Sequence, residues 1–294
     1  VHKSGFVNII GNPNAGKSTL INLLVGQKIS IINSKAQTTR HRIMGIVNGD
    51  NFQIIYSDTP GVLKPAYKLQ EGMMRFVGGA LQDADLFLLV ADVNDKDFND
   101  EQILNKLQNS KIPVFVLLNK VDTSTAHKIE ETILYWKNLL PNAEIFPVSA
   151  LHNFNMEVVK EKIEKILPEH PAYFPKDDDE ITDKTERFLV SEIIREKILD
   201  LYHKEIPYST EIVIVEFKDK EKLFSIRAEI MVERDSQKGI IIGHRGEALK
   251  KLGIKAREEI ETFLEKKVYL ELHVKVDKDW RNEEKKLKRY GYWT

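Results

Sequence analysis

The sequence contains no cysteine. That excludes disulfide staples, cysteine-ligated zinc or iron–sulfur centres and thiol catalysis, and it fits a reducing compartment. Long hydrophobic runs are missing too. The longest, such as residues 86–91, fall well short of the roughly 18 apolar residues that span a membrane. The opening Val1-His2-Lys3-Ser4 leads straight into a strand-like run, so no secretory leader is expected. Nor is there an excess of either charge: 44 basic and 45 acidic side chains leave a net −1 over 294 residues. Taken whole, that speaks against a nucleic-acid partner. What is present is 42% hydrophobic and 30% charged, a globular rather than a disordered composition. The length predicts two domains.

The neutral total hides an uneven distribution. Residues 1–175 carry 18 basic and 18 acidic side chains, residues 176–235 carry 11 and 17, and residues 236–294 carry 15 and 10. An acidic segment is therefore followed by a basic one.

The first half alternates short buried-strand runs (6–10, 42–47, 53–56, 86–90, 114–118, 145–148) with helical patterns (17–25, 69–82, 101–108, 126–139, 156–167). Such alternation predicts an α/β domain with a mostly parallel six-stranded sheet. Asn48-Gly49-Asp50-Asn51 reads as a hairpin turn, so one antiparallel pair is expected. Three prolines at 168, 171 and 175 and the acidic run 177–180 mark a linker. We place the domains at 1–170 and 184–294, with 171–183 between them. The second half reads as an α+β domain: a helix at 184–203, strands at 211–217 and 223–232, a glycine-rich step at 239–246, a long amphipathic helix and a final strand at 268–276. A basic, aromatic tail follows.

Gly11-Asn12-Pro13-Asn14-Ala15-Gly16-Lys17-Ser18 is G-x-x-x-x-G-K-[ST] between a strand and a helix. Its glycines let consecutive N–H groups, those of Asn14, Ala15 and Gly16 among them, turn onto phosphate oxygens, and the helix adds its dipole. Lys17 is expected at the β- and γ-phosphates, the Ser18 hydroxyl on Mg²⁺, and Thr19 near the α-phosphate. Asn119-Lys120-Val121-Asp122 is N-K-x-D at the carboxyl end of a strand, where open sheets bind ligands. A carboxylate at Asp122 can accept from guanine N1–H and the 2-amino group; adenine offers neither, so the base is guanine. Asn119 is expected to tie this loop to the phosphate loop, and Lys120 to cover the base. Ser149-Ala150-Leu151 should supply a backbone N–H for guanine O6. Asp58-Thr59-Pro60-Gly61 is D-x-x-G, with Asp58 on Mg²⁺ through a water and Gly61 N–H toward the γ-phosphate. Within the polar stretch Ser34–Arg40, Thr39 rather than Thr38 is expected on Mg²⁺ and the γ-phosphate. GTP and GDP are thus the expected ligands, with Lys17, Thr39 and Gly61 acting in hydrolysis.

These four motifs in order resemble a P-loop GTPase of the translation-factor-related class. Gln37-Thr38-Thr39-Arg40 and Asn12-Pro13-Asn14-Ala15 resemble the Era subfamily. Val62 stands where many small GTPases carry a glutamine that orients water, and this subfamily is known for such a hydrophobic replacement. The resemblance also suggests K⁺ at Asn14, supplying charge near the β–γ bridge.

Ile241-Ile242 precede Gly243-His244-Arg245-Gly246, a G-x-x-G with a basic middle. The element order resembles a type II KH domain. Its glycines would let an RNA backbone pass close by, His244, Arg245 and the nearby Lys250 would meet phosphates, and the isoleucines would line a groove for about four bases. Trp280, Tyr290, Tyr292 and Trp293 either stack on bases or belong to a tail folded back on the domain.

The resemblance then covers nearly the whole chain. It implies a GTPase coupled to small-subunit ribosomal RNA near its 3′ end during 30S assembly, a monomer, and cytoplasmic residence with peripheral contact at the inner face of the membrane. A second reading is a regulatory GTPase whose C-terminal domain binds protein. A single phosphate loop excludes a tandem two-GTPase relative.

Overall fold

A computed structural model describes residues 2–95, 97–176 and 180–293. The chain divides into two compact units, Val1–Ala66 with Met73–Asp183, and Tyr67–Gly72 with Lys184–Thr294.

The first unit is built on β1 (Lys3–Ile10), β2 (Ile43–Asn48), β3 (Phe52–Asp58), β4 (Leu86–Asp92), β5 (Val114–Asn119) and β6 (Glu144–Pro147), in the spatial order β2-β3-β1-β4-β5-β6. All pairings are parallel except β2 with β3. That antiparallel pair follows from the turn at Gly49, whose N–H donates to the Phe52 carbonyl at 2.9 Å. β4 and β5 are buried almost end to end, which suits uninterrupted apolar runs in a sheet with helices on both faces. The helices are α1 (Lys17–Val25), α2 (Lys68–Ala80), whose first turn groups with the second unit, α3 (Glu101–Gln108), α4 (Ala126–Leu139) and α5 (Met156–Ile166). Asp100 starts α3 by accepting from the N–H groups of Gln102 and Ile103, two of the donors a helix start leaves unpaired.

The residues expected to be linker are packed where they are described. Tyr173 meets Phe6 edge to face at 4.8 Å, and Gln53 accepts from the N–H groups of both Tyr173 and Phe174. Residues 181–183 cover the free edge of β2: Ile46 N–H donates to Ile181 O at 2.8 Å and Met44 N–H to Asp183 Oδ1 at 2.8 Å. An uncovered edge would leave a row of unpaired backbone groups. Asp177, Asp178 and Asp179, the heart of the acidic run, lie outside the described residues.

The second unit runs α6 (Glu186–Leu201), β7 (Glu211–Asp219), β8 (Phe224–Val232), α7 (Asp235–Ile242), α8 (Glu247–Leu264), β9 (Val268–Val276) and α9 (Glu284–Arg289). The sheet is mixed: β7 and β8 are antiparallel, β8 and β9 parallel. Its core gathers Ile194, Ile198, Ile226, Ile230, Leu252 and Ile260, all fully buried. Of the two readings of the aromatic tail, folding back holds for Trp280 and Tyr292, which are buried. Trp280 Nε1–H donates to Ser209 O at 3.0 Å, and the Tyr292 hydroxyl donates to Glu211 at 2.7 Å. A ring with no exposed face cannot stack on a base. Among the described residues no helix is long and apolar enough to cross a membrane.

Candidate functional site

The loops that leave the carboxyl ends of β1, β3 and β5 converge, as expected for an open parallel sheet. A cavity of about 280 Å³ is lined by Pro13, Asn14, Gly16, Lys17, Ser18, Thr19, residues 32–35, Gln37, Thr38, Thr39, Gly61 and Lys120. Three of the four motifs and the polar stretch 34–40 thus bound one space. Lys17 Nζ donates to the Asn12 carbonyl at 2.7 Å, across its own loop.

The residues expected on the metal lie together. The Ser18 and Thr39 hydroxyls are 2.9 Å apart, Ser18 Oγ donates to Asp58 Oδ2 at 3.0 Å, and Thr39 Oγ1 to the same oxygen at 3.4 Å. Thr38 turns elsewhere, donating to Lys35 O at 2.6 Å. Ser30, which sequence reasoning missed, also donates to Asp58 Oδ2 at 2.8 Å. It is held there by Asn22, whose side chain accepts from Ile29 and Ser30 N–H and donates to Ser30 O. Asp58 is fully buried, yet among the described residues its Oδ1 has no hydrogen-bond partner. A buried, unpartnered carboxylate oxygen beside two hydroxyls is the hard-oxygen donor set that Mg²⁺ takes, with its remaining positions left to water and phosphate. The electrostatics agree. Burial pushes Lys17 down to about 8, with Asp58 opposing and Lys120 assisting. Burial likewise pushes Asp58 up, against Lys17 and the hydroxyls of Ser30, Ser18 and Thr39. In so desolvated a place a phosphate and a divalent cation each interact strongly with fixed charge.

The base-reading residues stand beside this cavity. Asn119 Nδ2 donates to Ala15 O at 2.9 Å, and its Oδ1 accepts from Ala150 N–H at 3.0 Å. One side chain therefore ties the phosphate loop, the β5 loop and the Ser149-Ala150-Leu151 loop together. Lys120, with a left-handed backbone (φ 65°), donates to Asn14 O at 2.6 Å and Asp92 at 2.8 Å. Asp92 is a second partner the motifs did not announce. A hydrogen bond from Ser149 holds the Asp122 carboxyl below the usual carboxylate range, with burial opposing and His152 and Lys120 assisting. It is thus ionised at neutral pH, as an acceptor for two guanine donors must be. Ser149 N–H is already given to Phe154 O, so a base carbonyl would share the Ala150 N–H or take that of Leu151, whose side chain is exposed. Gly61 sits so close to Pro13 that a Cβ there would come within 2.7 Å of its Cα and N. Val62 is fully buried among Ile10, Val77 and Val93, so its side chain faces core rather than cavity.

In the second unit, α7 ends at Ile242 and the G-x-x-G turns between it and α8. Gly243 (φ 73°) and Gly246 (φ 83°) take left-handed backbones that favour glycine, and a Cβ on Gly243 would press on Ala248 at 2.5 Å. His244 and Arg245 are exposed at the tip and Lys250 one turn further along. The isoleucine expectation needs correction. Ile241 is fully buried in the core, and Ile242 packs against that core, partly buried. The reason is periodicity: α7 turns Ile241 inward, and only Ile240, half exposed, faces out. An open, apolar-walled cavity lies instead between α8 and β9. It measures about 480 Å³ and is lined by Gly246, Leu249, Lys250, Gly253, Ile254, Arg257, Leu270, Glu271 and Leu272. The signal for it was a glycine inside a long helix, opposite the alternating Leu270 and Leu272. Apolar walls with Lys250 and Arg257 at the rim suit unstacked bases on a phosphate backbone.

Comparison with known proteins follows this division. Residues 6–120 match the family described as 50S ribosome-binding GTPase, and residues 205–281 match the KH domain. The GTPase Era of Clostridium kluyveri is 46% identical over 99% of both chains, and that of Staphylococcus haemolyticus 45% identical over 99% of this chain and 97% of its own. A crystal structure of Era in complex with MgGDPNP and nucleotides 1506–1542 of 16S ribosomal RNA aligns with a TM-score of 0.94 and 39% identity, covering all of both chains. A point variant of Aquifex aeolicus Era bound to GDP·AlF4⁻ aligns with a TM-score of 0.92 at 38% identity, over 99% of this chain and all of that one.

Proposed function

Because the chain belongs to the Era family of GTPases, we propose that it binds GTP with Mg²⁺, hydrolyses it, and couples the nucleotide state to binding of small-subunit ribosomal RNA near its 3′ end during 30S assembly. The observation that carries the enzyme half is the meeting of Ser18, Thr39 and Asp58 around one unpartnered carboxylate oxygen, beside Lys17 and Gly61. Ser18, Thr39 and Asp58 would hold the cation, and the bound Mg²⁺ would neutralise charge on the phosphates. Lys17 and the Gly61 N–H would meet the γ-phosphate, while Asn119, Lys120, Asp122 and residues 149–151 hold the base.

The RNA half rests on the G-x-x-G turn and the α8–β9 groove. The relative solved with 16S ribosomal RNA favours RNA over a protein ligand for this domain, since that relative is matched along its whole length. Residues 1–170 would form the nucleotide domain, 171–183 the connection and 184–294 the RNA-binding domain. Asn14 supports a K⁺ reading: it lines the cavity, has a left-handed backbone (φ 63°), and its side chain has no hydrogen bond among the described residues. We place the protein in the cytoplasm as a monomer; peripheral contact with the inner membrane face rests on family resemblance. Crosslinking of the intact protein to cellular RNA with GTP analogue bound should recover small-subunit RNA, and Gly243→Asp should abolish the crosslink. Recovery of no RNA, or full retention in Gly243→Asp, contradicts the reading.

A further inference from the structure

The buried Val62 side chain anchors the turn after Asp58 in the core, and its backbone is held as well. The structure shows what grips it. Val62 N–H donates to Gly11 O at 3.0 Å. Val62 O accepts from Asn99 Nδ2 at 3.0 Å. Asn99 N–H in turn donates to Asn12 Oδ1 at 3.1 Å, and Asn12 Nδ2 donates to Asp97 O at 2.6 Å. Gly11 and Asn12 are neighbours, so these bonds close a ring from the phosphate loop through Val62 and Asn99 back to the phosphate loop. Asn99 lies in the loop between β4 and α3 and belongs to none of the nucleotide motifs.

We infer that Asn99 is a positioning residue for GTP hydrolysis: by holding the Val62 carbonyl it fixes the turn that keeps the Gly61 N–H, two peptide units earlier, aimed at the γ-phosphate. This rests on the proposed roles of Gly61 and the phosphate loop. The chemistry is specific to an amide. A carbonyl oxygen only accepts, so Asn99 must present its NH₂ there. A carboxylate would set two acceptors face to face, and alanine would leave the carbonyl without its donor. Either change releases the carbonyl of Val62, while Gly11 still holds the Val62 N–H and Pro13 still confines Gly61. The ground-state fold therefore survives, while the donor aimed at developing charge drifts. Loss of orientation at a donor of this kind lowers the rate more than the affinity.

The test is turnover at saturating GTP together with the dissociation constants of GDP and of the analogue GDPNP, on the full chain with Mg²⁺. Asn99→Ala and Asn99→Asp should each lower kcat about fivefold or more, the equivalent of roughly one hydrogen bond. GDP affinity should stay within about twofold and GDPNP affinity should fall more than that of GDP, because only the analogue carries a γ-phosphate. Asn99→Gln, which keeps the amide donor, should recover part of the rate. Unchanged kcat in Asn99→Ala and Asn99→Asp, or equal loss of GDP and GDPNP affinity from a merely structural effect, would overturn the inference. Wild-type turnover measured alongside separates failure of the hydrolysis reading from failure of this one.

Discussion

In the proposed function Asp122 decides which base the site takes. A hydrogen bond from Ser149 favours its ionised form, and a carboxylate covered by a base that offers it no donor is unfavourable, so adenine would be rejected by chemistry. Asp122→Asn offers a donor where the carboxylate accepted. It should move preference from guanosine to xanthosine nucleotides, as read by competition binding; undiminished GTP selectivity would contradict the assignment. At Asn14 the expected outcome is faster hydrolysis in K⁺ than in Na⁺ at matched ionic strength, with the difference abolished in Asn14→Ala. Equal rates in the two salts for the wild type would remove K⁺ from the account. That Lys17, Ser18, Thr39, Asp58 and Asn119 would meet was legible because nucleotide-binding loops carry their polar groups at short, fixed spacings along the chain. Ser30, Asp92 and Asn99 were not. Each contacts a motif residue more than 25 positions away, Asp58, Lys120 and Asn12 respectively, through a contact that only the fold creates.

At the scale of the element, strand and helix order was readable because buried parallel strands and amphipathic helices have distinct periods. The groove was not, since a three-residue run such as Ile240-Ile241-Ile242 cannot reveal which member turns inward. The two roles separate by mutation. Ile241→Ala should destabilise the protein by about 2–5 kcal/mol. Ile254→Ala, at a residue 42% exposed in the groove, should weaken RNA binding with unfolding changed by less than about 1 kcal/mol. Denaturant unfolding and RNA titration on both variants check this, and the reverse pattern would put the groove elsewhere. The tail was half legible: its aromatics were visible, their burial was not. Burial works against the charge of Asp277, but hydrogen bonds from Tyr290 and Lys286 and the charges of Lys286 and Arg289 hold it below the usual range. A carboxyl depressed on folding contributes stability above its unfolded value and loses it as pH falls through the folded one. Thermal midpoints should therefore decline below about pH 4, less steeply in Asp277→Asn; identical slopes would deny the tail this role.

For the whole molecule, net charge was the wrong quantity. In the proposed function the neutral part, residues 1–175, handles phosphate with backbone N–H groups, one lysine and a cation. The basic excess begins with the G-x-x-G turn and α8. Distribution rather than total is what bears on a nucleic-acid partner. With an acidic segment before it, the groove must supply affinity that bulk attraction does not, so binding should depend on Lys250, Arg257 and the apolar walls. Coupling of the proposed kind requires that the nucleotide and RNA sites share free energy. By linkage, any factor by which GTP alters RNA affinity is the factor by which RNA alters GTP affinity. The most direct measurement is the dissociation constant of a small-subunit 3′-end RNA for the GDPNP-bound and GDP-bound protein at one salt concentration. The two values should differ by about fivefold or more, matched by the same ratio when nucleotide is titrated with RNA present. Identical constants in the two nucleotide states would contradict it.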